Sequence, residues 1–239
     1  NPIAIAESAL EKVDKKMVQM LAGSISLGAG QFCTQPGLLL VTDSKYTDRF
    51  VKDLDKTLKE VGPQCMIHPD LKKNYINQSD KIKNLKGVIE IQANNNELDD
   101  NLAHPKLYMV SGNDFMANSQ FQEEVFGPFS LIVKCKDLNE MEQVIKNLEG
   151  QLTGSIFAKE SDYKQIIPLI QAFKSKVGRL LFNDVPTGVE VSGAMTHGGP
   201  YPASSDSRFS AVGPNSIYRW VRPITYQNWP KELIEKLIH

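Results

Sequence analysis

The sequence has little of several things, and each shortage narrows its class. It holds three cysteines in 239 residues, Cys33, Cys65 and Cys135. An odd number cannot pair fully within one chain, which argues against a disulfide framework and fits reduced thiols and a cytoplasmic setting. Neither sign of charge dominates: 27 Lys and Arg against 28 Asp and Glu give a formal net charge of -1. So balanced a surface offers no field suited to nucleic acid or an anionic membrane, and no long block of like charge occurs. No run approaches the roughly 20 apolar residues of a membrane helix, and the opening NPIAIAESALEKVDKK lacks the basic-then-apolar order of a signal peptide. Internal repeats and low-complexity runs are also missing. What is there is a globular composition, 41% hydrophobic and 23% charged, able to bury a sizeable core as one large domain or two small ones. Small molecules and further copies of the same chain are the expected partners.

Hydrophobic spacing organises the chain. From Glu7 to Ile25, Leu10, Val13, Met17, Met20 and Leu21 recur at helical intervals, predicting one helix released at Gly28 and Gly30. Beyond Pro36, GLLLVT is a short apolar run expected as a buried strand, and YTDRFVKDLDKTLKEVG is expected as an amphipathic helix closed by Gly62. Further strands are expected at Val88 to Ile91, Leu107 to Val110, Phe129 to Val133, Ser155 to Ala158 and Arg179 to Phe182, with helices in DLNEMEQVIKNLEG and SDYKQIIPLIQAFKSK. Such alternation predicts an α/β fold with an open, largely parallel twisted sheet flanked by helices. The stretch from Asp184 to Pro214, rich in Gly, Pro, Ser and Thr, is too punctuated for regular structure, and long loops in compact domains are usually functional. After it, SIYRWVRPITYQ reads as a strand that Pro223 confines to an edge or a bulge, and KELIEKLIH as a short final helix.

The segment GAGQFCTQPG, residues 28 to 37, raises the chemical question. A thiol attacks as thiolate, and the end of a glycine-led loop is where backbone N–H groups can face a developing oxyanion. A small residue packed at a helix end is the other reading of Cys33, and the local residues leave both open.

Distant segments bear on that choice. GQFCTQPGLLLV resembles the nucleophile segment of the aldehyde dehydrogenase superfamily, and QFQEEVFGPFSLIV, Gln120 to Val133, is similar to the family's Glu-Glu-x-Phe-Gly-Pro motif. LTGSIFAKESD and the later GRLLFND also match family strands, in the same order. The closing PTGVEVSGAMTHGGPYPASSDSRFSAVG, followed by IYRWVRPITYQNWP, resembles the branch that oxidises 2-oxoglutarate semialdehyde (2,5-dioxopentanoate). The resemblance implies that the fold is an aldehyde dehydrogenase-like catalytic domain. It further implies that Cys33 attacks the aldehyde to give a thiohemiacetal and then a thioester, that Glu124 holds the nicotinamide ribose hydroxyls, and that Phe126 packs beside that ribose. It implies NADP or NAD as cofactor, an aldehyde as substrate, and a homo-oligomer, dimer or tetramer, in which the last strand crosses to a neighbour.

The resemblance also implies parts not seen here. The family's general-base glutamate lies a few residues ahead of an Asn-Pro like Asn1-Pro2, and no Gly-rich strand-to-helix turn for a dinucleotide pyrophosphate is visible. Residues 1–214 are therefore expected to be a catalytic, nucleophile-bearing domain, 215–239 a strand and tail for association, and the cofactor-binding domain to lie outside this chain. His197, in the long loop, could contact substrate or order the loop, and Arg208 could meet a substrate carboxylate bidentately. Cys65 and His68 are spaced as half a metal site without a second pair nearby, so no metal is expected, and Cys135 reads as core. Two other classes stay in view: an acyl-transfer hydrolase with Cys33 activated by a histidine, for which His197 is the plausible loop partner, and a non-catalytic assembly remnant.

Overall fold

The structure is a computed structural model that describes residues 1–11, 14–91 and 101–236. Its strands are β1 (Pro2–Ile5), β2 (Leu38–Thr42), β3 (Gln64–Cys65), β4 (Ile89–Glu90), β5 (Leu102–Ala103), β6 (Lys106–Ser111), β7 (Phe129–Cys135), β8 (Gln151–Phe157) and β9 (Val177–Phe182). Its helices are α1 (Glu7–Glu11), α2 (Lys15–Ser26), α3 (Thr47–Val61), α4 (Pro69–Lys83), α5 (Gly112–Ala117), α6 (Leu138–Asn147), α7 (Ile167–Lys174) and α8 (Lys231–Glu235). Seven strands form one sheet in the order β4-β6-β7-β2-β1-β8-β9, and β3 pairs with β5 separately. Among the described residues of the large sheet, only β4, beside β6, runs antiparallel; the other pairs are parallel. An α/β fold with a mostly parallel sheet flanked by helices is thus borne out.

The alternation of side chains across each strand divides the core into two faces. Ile3, Ile5, Leu39, Val41, Leu107, Ile132 and Phe157 point to one side, where they meet Val18, Leu21 and Ile25 of α2 and Phe50, Leu54 and Leu58 of α3. Ala4, Leu38, Leu40, Tyr108, Val110, Leu131, Val133 and Ile156 point to the other, against Tyr75 and Ile82 of α4, Met141 and Val144 of α6 and Phe173 of α7. Strands buried on both faces read as continuous apolar runs, which is why GLLLVT and FSLIV were legible. Each such Leu or Ile contributes about 1.5–3 kcal/mol by leaving water.

Some expectations are corrected. The helix expected from Glu7 to Ile25 is two helices, because Asp14 is extended (φ -74°, ψ 130°) and its carboxylate accepts from the Lys16 N–H, capping α2 afresh; Val13 lies outside the described residues. The helix expected in SDYKQIIPLIQAFKSK begins only at Ile167, where Pro168 sits in the first turn and its missing N–H is harmless. The strand expected in SIYRWVRPITYQ is absent from the single chain: Pro214–Arg219 form a 3-10 turn and residues 221–227 have no regular structure. That segment, with Pro223 in its midst, is paired with no strand among the described residues, and Trp220 and Ile224 are exposed. Of KELIEKLIH, α8 covers Lys231–Glu235, and 237–239 lie outside the described residues. Residues 184–213 contain no helix or strand, as their composition predicts. Among the described residues, no helix is long and apolar enough to cross a membrane.

Candidate active site

The turn that presents Cys33 begins where α2 ends. Gly28, Ala29 and Gly30 all take left-handed backbone conformations (φ 56°, 57° and 67°), which stop the helix abruptly. Two side-chain amides tie the turn to the unit that follows: the Ala29 N–H donates to Gln64 Oε1 (2.9 Å), and Gln31 Oε1 accepts from the Ile67 N–H (3.0 Å). Gly30 is required by space as well as by φ, since a Cβ there would lie 2.2 Å from the Gly127 carbonyl oxygen. The Cys33 turn and the EEVFGP segment therefore touch backbone to backbone.

Asn1 ties the other side of the loop. Its Nδ2 donates to the carbonyl oxygens of Cys33 (2.8 Å) and Gln35 (3.1 Å), while its Oδ1 accepts from the N–H (3.0 Å) and Oγ1 (2.9 Å) of Thr153 on β8. Gln35 continues the brace by donating to the Phe129 carbonyl (2.5 Å). One amide thus satisfies four polar groups and fixes the Cys33 backbone to the sheet.

Cys33 itself is exposed. It opens on a cleft of about 510 Å³ whose walls include Asn1, Phe32, Glu124, Phe126 and Gln151. Asn1 precedes β1, Cys33 precedes β2, Glu124 and Phe126 precede β7, and Gly150 precedes β8, so the cleft lies along the N-terminal edge of the parallel strands. Open α/β sheets commonly bind ligands at the opposite, carboxyl edge. Here the cleft lined by both motif segments lies at the other edge.

From the long loop, His197 reaches the same thiol: its Nε2 is 3.3 Å from Cys33 Sγ. The histidine backbone is clamped, its N–H donating to Ser210 Oγ (3.0 Å) and its carbonyl accepting from the Ala211 N–H (2.8 Å). Burial, and after it the positive charge of Arg179, push His197 below the ordinary imidazole range, which favours the neutral ring; in the tautomer with its hydrogen on Nδ1, Nε2 can accept a proton. Arg179, on β9, donates to the carbonyl oxygens of Pro186 (2.6 Å) and Gly188 (3.0 Å). Burial lowers its own pKa, while the charges of Asp184 and Cys33 oppose that shift.

Arg208 is not brought to this cleft. Its guanidinium is exposed and forks onto Asp206, with Nε 3.0 Å from Oδ1 and Nη2 2.6 Å from Oδ2, a pairing that holds the Asp206 carboxyl down at about 2. His68 caps α4 through the Asp70 N–H (3.2 Å), and among the described residues no group of three His, Cys, Asp or Glu side chains could hold a metal. Cys135 is buried, and burial, then Glu140 and Asp137, push its thiol up to about 12. Sequence reasoning missed Asn1 and Arg179 as site residues. The signal for Asn1 was its place before an apolar run that becomes a central strand; for Arg179 it was a charge inside the apolar run GRLLF, which forms the half-buried edge strand β9.

Fold and geometry together define an α/β protein with an exposed cysteine at the mouth of a cleft. The aldehyde dehydrogenase family matches residues 1–204, and the chain belongs to that family. It is 39% identical over 234 residues to alpha-ketoglutaric semialdehyde dehydrogenase 2 of Azospirillum brasilense, covering 98% of this chain and 45% of that protein. It is 38% identical over 239 residues to alpha-ketoglutaric semialdehyde dehydrogenase of Acinetobacter baylyi, covering 100% and 45%. The chain therefore spans just under half the length of these curated relatives. Among solved structures, Delta-pyrroline-5-carboxylate dehydrogenase of Mycobacterium tuberculosis superimposes with a TM-score of 0.73 at 17% identity, over 97% of this chain and 45% of that one. A betaine aldehyde dehydrogenase of Staphylococcus aureus, solved in complex with NAD+, gives 0.71 at 19%, over 97% and 48%.

Proposed function

We propose that this chain is the nucleophile-bearing part of an NAD(P)-dependent aldehyde dehydrogenase that oxidises a semialdehyde, 2-oxoglutarate semialdehyde to 2-oxoglutarate. The observation that carries the reading is the convergence of Cys33, Glu124 and Phe126 on one cleft, although 91 residues separate the thiol from the carboxylate. The names of the two relatives at 39% and 38% identity support the substrate. Because the chain spans 45% of each, the activity belongs to the complete protein, and we assign the general base and the dinucleotide-binding fold to its remainder. Residues 1–214 then carry the nucleophile, and 215–239 form an association tail whose exposed Tyr218, Trp220 and Tyr226 are suited to contact with a second copy.

The residues of the cleft fit the nicotinamide end of NAD(P): Glu124 is an exposed carboxylate able to accept from two ribose hydroxyls, and half-buried Phe126 offers an apolar face on the same wall. NAD(P), when bound, supplies the hydride acceptor. The chain's own residues do the rest. Cys33 Sγ gives its proton to Nε2 of neutral His197 and attacks the aldehyde carbon; the S–C bond forms and the carbonyl pair moves to oxygen, which the Cys33 N–H stabilises. Departure of hydride from that carbon leaves a Cys33 thioester. Water then adds, giving one proton to the general base assigned to the remainder of the protein; the C–S bond breaks, and the carboxylate leaves, its second proton passing to solvent, with the thiolate restored. Orientation matters because reacting atoms must approach to about 3–3.5 Å, so the braces on Cys33 and the hold of Glu124 act on rate.

The test is NAD(P) reduction by the full-length protein with 2,5-dioxopentanoate, beside Cys33→Ser. Activity lost in the variant supports the reading; no reduction with this or other aldehydes overturns it. The 239 residues alone are expected to be inactive.

The Cys33–His197 contact favours a second reading, an acyl-transfer hydrolase that uses the same pair without nicotinamide. Glu124→Gln separates the two, since it impairs a dehydrogenase and leaves a hydrolase intact.

A further inference from the structure

We propose that Arg179 is a positioning residue for the nucleophile: its guanidinium clamps the start of the 184–213 loop onto β9, which brings His197 against Cys33, and its charge faces that pair.

Three observations converge. First, the guanidinium bridges two carbonyl oxygens two residues apart, Pro186 at 2.6 Å and Gly188 at 3.0 Å, so the loop is turned back over the strand it has just left. A planar fork can make both bonds at once, which an ammonium on a flexible stem does poorly. Second, the strand and the histidine segment are in backbone contact beside it. A Cβ on Gly178 would lie 2.1 Å from the Gly198 carbonyl oxygen, so Arg179 and His197 each adjoin the point where β9 and the loop meet. Third, Arg179 interacts electrostatically with both members of the pair: it disfavours a proton on His197, and the Cys33 thiolate in turn favours the charge on Arg179. Asp184 is the remaining charged group acting on Arg179, and its negative charge acts in the same direction as the thiolate.

The consequence is a division of labour at the thiol. His197 provides the proton acceptor, which burial and then Arg179 keep neutral, and Arg179 offers a fixed positive charge to the sulfur anion. Arg179 touches neither aldehyde nor cofactor in this scheme; it acts through Cys33 and His197.

The inference rests on Cys33 being the nucleophile, and its test needs neither aldehyde nor NAD(P), so it can fail or stand apart from the dehydrogenase reading. The full-length protein is alkylated with iodoacetate, an anion, and with iodoacetamide, a neutral reagent of similar size, and each cysteine is followed by peptide mass spectrometry. Cys65, also exposed, is the internal reference. The expected result is an iodoacetate-to-iodoacetamide rate ratio at Cys33 above that at Cys65, falling roughly tenfold in Arg179→Met and Arg179→Gln and largely kept in Arg179→Lys. A loop that had merely loosened would change both rates together and leave the ratio alone. Equal ratios at the two cysteines of the wild type, or an unchanged ratio in whichever of the two neutral variants folds, would overturn the proposal.

Discussion

Cys33 Sγ and His197 Nε2 lie 3.3 Å apart across 164 residues of sequence, one at the end of a helix-terminating turn and the other inside a loop without regular structure. Both sides of this contact are held by backbone hydrogen bonds: Asn1 to the Cys33 carbonyl, and Ser210 and Ala211 to His197. The neutral ring is favoured, and with its hydrogen on Nδ1 it can take the thiol proton at Nε2. In the full-length enzyme His197→Ala is expected to lower kcat/KM roughly 100-fold and to slow iodoacetamide at Cys33 relative to Cys65. Unchanged alkylation would mean that the contact orders the loop and does no proton transfer.

The close approach of Gly30 to Gly127 gives a second expectation. Gly30→Ala would force a Cβ to within 2.2 Å of the Gly127 carbonyl at a residue with φ of 67°, where L side chains are already strained. About 2–4 kcal/mol of stability should be lost, and because Glu124 precedes that carbonyl, KM for NAD(P) should rise. Gly23→Ala is the control, for nothing lies within 4 Å of a Cβ there and the site is inside α2. That change should stabilise by about 0.5–1 kcal/mol. Thermal unfolding of the two variants checks both signs.

Cys135 supplies a pH dependence. Its thiol is raised in the folded protein from near 9 to about 12. A raised value means that the unfolded chain loses this proton first, so the stabilisation is complete below about 9 and is lost as pH rises from there towards 12. Urea midpoints measured across that range should fall with pH, and Cys135→Val should flatten the slope. Cys33 and Cys65 should alkylate in the native protein, and Cys135 only after denaturation.

Much of the sheet could be read from the sequence, for a physical reason. Strands covered on both faces are uninterrupted apolar runs bounded by Gly, Pro and charged residues, as in GLLLVT and FSLIV. β1 was hidden because PIAI is only four residues and opens with a proline, although it is a central strand. The break between α1 and α2 was hidden because Asp14 interrupts a hydrophobic period that continues across it, and only its extended backbone distinguishes a cap from a solvated face. The tail misled in the opposite sense: alternation in IYRWVRPITYQ is the pattern of a strand, but a strand needs a neighbour, and among the described residues none pairs with it. At the site, Cys33, Glu124 and Phe126 were legible as motifs. The roles of Asn1 and Arg179 were not, since a polar residue ahead of PIAI and a charge within GRLLF do not say which backbone carbonyls they reach.

The Asn1 amide offers the sharpest test of how the nucleophile is held. Nδ2 can only donate and Oδ1 only accept, and the four groups they meet are two carbonyls on the Cys33 side and two donors of Thr153 on the other. In the full-length protein Asn1→Asp keeps the size but sets a carboxylate oxygen against the Cys33 and Gln35 carbonyls, replacing attraction by repulsion. Asn1→Ala removes all four bonds and should cost about 1–3 kcal/mol of stability. If the amide positions Cys33, both variants lower kcat about 10- to 100-fold with KM for aldehyde little changed, and Asn1→Asp is the more damaged although it retains the Thr153 bonds. If the amide serves only the fold, kcat at saturation would survive in each variant at temperatures where it remains folded, and the two would rank by thermal stability alone.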